Sequence, residues 1–415
     1  MNTTKLTLAI ILILAAFLRL DRLFDLMMFI PDQGWFYISA KELLIEGKFP
    51  LIGITASYTW LHQGALWTYI LAPFLWLFNF NPVGGAYLSA FLGVGAVLAA
   101  YFVGKALFKS EQIGLITAFL FAVSPLVIIH SRMPYHTAPI SLVALLFVYS
   151  LYGYAKGEMW YLPASAFLLG ILYNLELATM VLFFLAIIIF FIAKKPASKI
   201  LILSFLSFLI PMIPMVLYDF SSKSGFYQTT AFFRLIKLSV LSTDIFSIKN
   251  IYDIVQDLFI FNQRLIFLGN GFIATVITGE SLIFLFNTLR NFKKKKIDIA
   301  HLILALWILI AIGGIFVSKT ASEAYLPMTY PAILLTISIF IVGIAKKLHD
   351  LKISIYFIIG LISLVNIYLL LSEDYLMGSN GYGFPLSERL KIVRETLPPG
   401  DNYEYLRWWL SIKQK

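Results

Sequence analysis

The chain has 415 residues, of which 60% are hydrophobic and only 13% charged, and its mean hydropathy is +0.86. Apolar runs of membrane-spanning length recur along it, which excludes a soluble globular enzyme and predicts an all-α polytopic membrane protein. The formal charge of +10 does not point to nucleic acid, because the basic residues fall largely into short clusters between apolar spans, and the absence of cysteine excludes disulfides, thiol catalysis and cysteine-ligated metals.

The N-terminus, Lys5 followed by Leu6 to Leu20, has the basic start and apolar core of a signal peptide. Arg19, Asp21 and Arg22 stand where small residues would allow cleavage, so an uncleaved first helix is predicted, with Arg19 snorkelling to the surface. Hydropathy then predicts spans near 6–20, 86–107, 112–130, 138–155, 160–173, 176–193, 199–217, 267–290, 298–317, 326–344 and 353–371, about eleven helices. The clusters Lys105/Lys109, Lys156, Lys194/Lys195/Lys199, Arg290 with Lys293 to Lys296, and Lys346/Lys347/Lys352 share one side only if the N-terminus is inside. The C-terminus is then outside. The apolar segment Ala65 to Phe78 is short and carries Pro73, and a crossing there would move every later cluster to the other side. It is read as an external juxtamembrane helix in a long first loop, 21–85. A second large external loop, 219–266, and an external tail, 372–415, complete the layout, with 1–371 as the transmembrane domain. In the tail, Pro385 to Arg394 reads as a helix stopped by Pro398-Pro399-Gly400, and Trp408-Trp409 as a contact with the bilayer interface or the core.

This topology gathers the rare polar residues at one side: Asp32 and His62 in the first loop, Arg132 and His136 after span 112–130, Glu176 between two short spans, then Asp219, Lys319 and Glu323. Asp32, in Phe29-Ile-Pro-Asp-Gln-Gly-Trp-Phe-Tyr37, is a lone carboxylate beyond the first span, placed to act as a base or to cap a helix starting near Gly34. Glu176 sits in the Asn174-Leu175-Glu176 turn, where a carboxylate is costly unless it faces a polar cavity or water.

The order Asp32-Gln33, Tyr37, a helix ending at Glu46-Gly47, and then His62-Gln63-Gly64 resembles the first external loop of the GT-C glycosyltransferases. Ser124-Pro125, Ser131-Arg132-Met133-Pro134, Tyr218-Asp219-Phe220 and Tyr325 to Pro331 extend the resemblance, in particular to the branch of protein O-mannosyltransferases, the lipid A aminoarabinose transferase and RgtA/B/C/D-like sugar transferases. The resemblance runs from about residue 6 to 345. It implies inverting transfer of a sugar from a polyprenyl-phosphate donor to a protein, lipid or glycan acceptor outside the cytoplasmic membrane. Asp32 takes the place of the catalytic base, Arg132 suits the leaving phosphate, and His136, Lys319, His62, Glu176, Asp219 and Tyr325 are candidates for holding phosphate or sugar. Many relatives have Glu where this chain has Gln33, and an acid or Asn near His136. A divalent metal therefore stays open without ligand spacing to support it, and no cofactor is assigned. Trp35, Trp60 and Trp67 are read as an interfacial belt. Two alternatives remain, a lipid-linked-sugar flippase and an inactive lipid-binding relative.

Overall fold

The computed structural model describes residues 3–56, 58–221, 225–240, 247–293, 298–319, 321–372 and 383–413. The chain is an integral, multi-pass bundle of α-helices. In order these are α1 (Thr3–Leu20), α2 (Leu23–Leu26), α3 (Pro31–Glu46), α4 (Leu66–Leu77), α5 (Val83–Phe108), α6 (Glu111–Val123), α7 (Pro125–Arg132), α8 (Ile140–Ala155), α9 (Tyr161–Leu175) and α10 (Leu182–Ile192). They continue with α11 (Ser198–Ser221), α12 (Tyr227–Val240), α13 (Ile248–Ile266), α14 (Gly271–Thr278), α15 (Glu280–Lys293), α16 (Ile299–Ser318), α17 (Tyr330–Lys347), α18 (Lys352–Leu371), α19 (Leu386–Glu395) and α20 (Asp401–Lys413).

Each predicted span is helical over most of its length, but not all are long. By length and composition seven described helices can cross a membrane, or eight if the bent pair α6–α7 is one span, against the eleven expected. α8, α9 and the stretch Leu177–Ile192 are apolar but shorter.

The expected single helix 112–130 is broken by 62° between α6 and α7. Proline lacks an N–H and forces the residue before it out of the helical region, and Ser124, just before Pro125, is extended at φ −67°, ψ 120°. The break leaves the carbonyls of Phe121 and Ala122 without helical donors. Arg19 supplies them, donating to Phe121 O at 3.0 Å and Ala122 O at 3.2 Å, and it is fully buried rather than snorkelling. A charge inside the bundle is thus satisfied by the backbone groups that the proline releases.

The bundle has two distinct ends. Tyr154 donates to Lys194 O, and Phe108 packs on His301, so the lysine-bearing ends of α5, α8 and α10 meet the start of α16 at one end. At the other, Arg22 donates to Leu371 O, which brings the end of α18 to the end of α1 and puts the tail beside the first loop. Lys294 to Lys296 lie outside the described residues.

The second large loop proves to be structured, and the tail carries its expected helix and one more. The segment 219–266 is mostly the helices α12 and α13, because both carry apolar residues at helical spacing. The tail is helical too and docks on α3. A Cβ on Gly34 would lie 2.0 Å from Asn402 N, so only glycine lets α20 approach so closely. Asn402 donates to Phe29 O at 2.7 Å, Tyr405 donates to Phe80 O at 2.7 Å, and Leu386 N donates to Met27 O at 2.9 Å. Trp409 is buried and Trp408 packs on Phe80, so the tryptophan pair faces the core.

Candidate active site at the α3 end

α3 begins at Pro31, three residues earlier than expected, because proline is well suited to a first helical position where no N–H is needed. Asp32 therefore lies in the first turn, where the helix dipole favours a negative charge. Its side chain is exposed, and Oδ2 accepts from the Tyr135 hydroxyl at 3.0 Å. Gln33 is turned away, its Oε1 accepting from Ile30 N at 2.9 Å, which makes it a capping residue. Asp401, brought in by α20, has its pKa raised above the ordinary carboxylate value by burial first, then by the negative charges of Glu404 and Asp32.

Behind Tyr135 lies a buried polar brace. His136 Nε2 meets Glu176 Oε2 at 3.2 Å, Gln63 Nε2 donates to both Glu176 oxygens at 3.2 Å, and Gln63 Oε1 accepts from Leu177 N at 2.9 Å. Glu176 is only 4% exposed, so its turn does dip into a polar pocket, one filled by protein groups. Asn174 adds to this joint, accepting from Leu66 N and donating to Pro211 O.

Several other candidates have structural partners. Both terminal nitrogens of Arg132 donate to backbone carbonyls at the end of α1, Leu18 O at 3.0 Å and Asp21 O at 2.8 Å, an anchor at the bundle rim. Asp219 accepts from Gln228 N, Thr229 N and the Thr229 hydroxyl, and so caps α12. His62 Nδ1 lies 3.2 Å from Gly53 O, within its own loop. Lys319 ends α16 in a left-handed conformation, half-buried, and Tyr325 packs on the core from the 3₁₀ turn Glu323–Met328. The tryptophans form no common belt, since Trp67 is fully buried and Trp60 lies under the Arg234 guanidinium at 4.4 Å.

Glu323, one of the polar residues gathered at this side by the sequence, centres a second charged group whose other members the sequence does not single out. His130 Nε2 lies 2.9 Å from Glu323 Oε1, Arg264 pairs with Glu323 Oε2, and the Tyr330 hydroxyl reaches the His130 ring. Next to it opens an apolar cleft of about 330 Å³, walled by α7, α13, α14–α15, α16 and α17, with Leu265, Leu326 and Tyr330 among its lining. His130 and Arg264 had been passed over because one sits in an apolar run and the other on an amphipathic helix. Only the fold brings them to Glu323. The short segment 130–136 thus runs from this charged group, through the Arg132 anchor, to the Tyr135 contact with Asp32.

Beside α3 a hollow of about 660 Å³ is lined by Trp35, Glu42, Ile52, Tyr218, Asp401 and Glu404. Among the described residues no group of three or more His, Cys, Asp or Glu is arranged to hold a metal ion. Around Asp32 the described partner is a phenol and the neighbouring amide is turned to the backbone, a donor set that does not fit a divalent cation.

The family described as dolichyl-phosphate-mannose-protein mannosyltransferase matches residues 62–218. No curated protein matches the chain in sequence. Among solved structures, the Archaeoglobus fulgidus oligosaccharyltransferase tethered with an acceptor peptide is similar at a TM-score of 0.57 and 14% identity, covering 97% of this chain and 58% of that one. ArnT from Cupriavidus metallidurans, bound to undecaprenyl phosphate, gives 0.56 at 11% identity over 98% of this chain and 75% of its own, and its apo state gives 0.54. The chain therefore spans little more than half the length of the oligosaccharyltransferase. At these identities the likeness is one of fold, and the fold is that of the GT-C membrane glycosyltransferases.

Proposed function

We propose that this GT-C-fold protein transfers a sugar from a polyprenyl-phosphate donor to an acceptor hydroxyl on the extracytoplasmic side of the membrane, with inversion. The observation that carries the reading is the segment 130–136, which runs from the His130–Glu323–Arg264 group, whose Tyr330 also lines the apolar cleft, to an exposed, hydrogen-bonded carboxylate. An isoprenoid chain needs apolar walls that open beside the bilayer, and its phosphate needs a cation at the end of those walls. Arg264, next in the chain to the cleft-lining Leu265 and paired with Glu323, is the cation offered for that role. ArnT, in one of the similar structures, holds undecaprenyl phosphate.

In the step assigned here, the acceptor oxygen attacks the anomeric carbon as the bond from that carbon to the phosphate oxygen breaks. The polyprenyl phosphate leaves with the bonding electron pair, and the acceptor proton passes to Asp32. Attack opposite the leaving group inverts the centre. The hollow beside α3 gives an acceptor room to approach Asp32, and the acidic groups there favour an acceptor without negative charge.

The test is transfer by purified protein in vesicles, offered undecaprenyl-phosphate sugars and sugar acceptors. Asp32→Asn keeps shape and hydrogen bonding but is a very poor base, so transfer is expected to fall by about 10² or more while donor binding persists. Unchanged transfer would remove Asp32 from the chemistry. Movement of lipid between leaflets without any transfer would replace the reading with a flippase. The sidedness is tested in whole cells, where an impermeant thiol reagent should label Ser221→Cys and spare Ser198→Cys; the opposite pattern would put the site on the cytoplasmic side.

A further inference from the structure

We propose that Tyr135 is the positioning residue that holds Asp32 in its working orientation, and that His136, Glu176 and Gln63 serve to hold Tyr135. The proposal rests on Asp32 being the base of the transfer reaction. An exposed aspartate in the first turn of a helix can occupy several rotamers of similar energy, and a base is effective only when its lone pair is already aimed at the proton it takes. Here Oδ2 accepts from the Tyr135 hydroxyl at 3.0 Å, which ties down one carboxylate oxygen and leaves the other to meet the acceptor. Asp401 on α20 senses the charge of Asp32 and has the same sign, so it repels the carboxylate rather than holding it.

Tyr135 is suited to this because its own ring is held from several sides. Its centroid lies 4.0 Å from that of His136 and 6.2 Å from that of Phe36, which belongs to the same helix as Asp32. His136 is 3% exposed and is fixed through Nε2 to Glu176, which also accepts from Ala178 N at 3.1 Å. Gln63 closes the network by bridging Glu176 to Leu177 N. A buried network of this kind has few alternative arrangements, because each displaced group would leave a polar atom unpaired. The brace spans three separate stretches of chain, the first loop, the turn after α7 and the turn after α9, and it ends on the phenol that meets the base.

The arrangement predicts an effect that packing alone would not produce. A hydrogen bond donated to a carboxylate favours its charged form. Tyr135→Phe removes that donor and keeps the ring, so kcat should fall on the order of tenfold with the donor KM little changed. The acid limb of the kcat profile should move to higher pH. Replacement of Tyr135 by 3-fluorotyrosine, a stronger donor of nearly the same size, should move that limb to lower pH, and it supplies the test if the phenylalanine variant fails to fold. Glu176→Gln keeps the shape of the brace and should leave the acid limb in place while lowering kcat less than Tyr135→Phe does. If wild-type protein transfers sugar and neither Tyr135 variant moves the acid limb, the inference is overturned and Tyr135 is only a packing residue. If wild-type protein transfers no sugar from any donor, it is the proposed function that fails, and the two results cannot be confused.

Discussion

The first and second large insertions at the α3 end are built in opposite ways. The first, carrying α3 and α4, is buttressed along the first half of α3: Phe36 and Tyr37 are fully buried, Tyr37 donates to Pro82 O at 2.6 Å, and α20 closes over Gly34 at backbone contact. The second, α12 and α13, shows wide apolar faces to the surroundings, with Ile248 88% and Tyr252 66% exposed. It is moored mainly at its C-terminal end, where Ser124 donates to Leu265 O, Asn366 bridges Ile266 O and Leu268 N, and Arg264 meets Glu323. A carboxylate that must be aimed needs the first kind of support. A surface that meets a lipid needs the second, since exposed apolar faces cost little against acyl chains.

The sharpest way to break this contrast is Gly34→Ala. The added methyl would sit 2.0 Å from Asn402 N and 2.3 Å from Asp401 C, main-chain atoms that cannot swing aside. α20 or α3 must move, at a cost of about 1–3 kcal/mol or more. If α3 is a rigid platform, transfer should drop by up to about 10², the scale expected when a reacting group is misplaced by an ångström. Full activity with unchanged tryptophan fluorescence from Trp408 and Trp409 would show that the platform is not rigid.

A paired substitution sharpens the other half. Arg264→Gln is expected to raise the donor KM by roughly tenfold, the effect of losing a charge-assisted contact to phosphate, with a smaller change in kcat. Arg132→Lys keeps charge but loses the forked contact to Leu18 O and Asp21 O, so it should lower thermal stability and leave the donor KM nearly unaltered. The reverse pattern, with KM sensitive to residue 132 and not 264, would return the phosphate to Arg132.

The smallest expected effect is one of pH. Burial, Glu404 and Asp32 raise Asp401 above its unfolded value, so its share of the folding energy is fully present below the unfolded pKa and is lost as pH rises through the folded one. Docking of α20 should therefore loosen slightly on passing from acid toward neutral pH, seen as faster hydrogen exchange at Leu406. Asp401→Asn should flatten that dependence. A dependence that survives the substitution would assign it to another group.

Much of this was legible before any coordinates. Hydropathy placed the helical segments because burial in lipid leaves the backbone no alternative to helix, and Glu46-Gly47 marked the end of α3, where Gly47 takes the left-handed cap at φ 67°. Asp32 and Glu176 stood out because carboxylates are rare in such a chain. Residue type says less about what a side chain meets. Arg132, Asp219 and His62 group by charge and side of the membrane, yet each meets mainly backbone groups, nine residues away for Asp219 and His62 and 114 for Arg132 and Leu18. Tyr135 and His130 carry no charge signal, and their roles depend on contacts with Asp32 and Glu323 that are 103 and 193 residues distant. The bend at Ser124-Pro125 was readable in principle from the proline alone, but a hydropathy window averages over a single residue.

The contact between α3 and α20 also has a bearing on how the molecule is made. Phe29 and Asn402 are 373 positions apart, so the helix that carries Asp32 is synthesised long before its cover. Every intervening span has to be threaded into the bilayer before Gly34 meets its partner, and closing so long a loop is one of the slower events open to a chain. Until then the aspartate helix rests on a half-built seat. The seat of Asp32 is thus completed only once α20 has been made and has docked on α3.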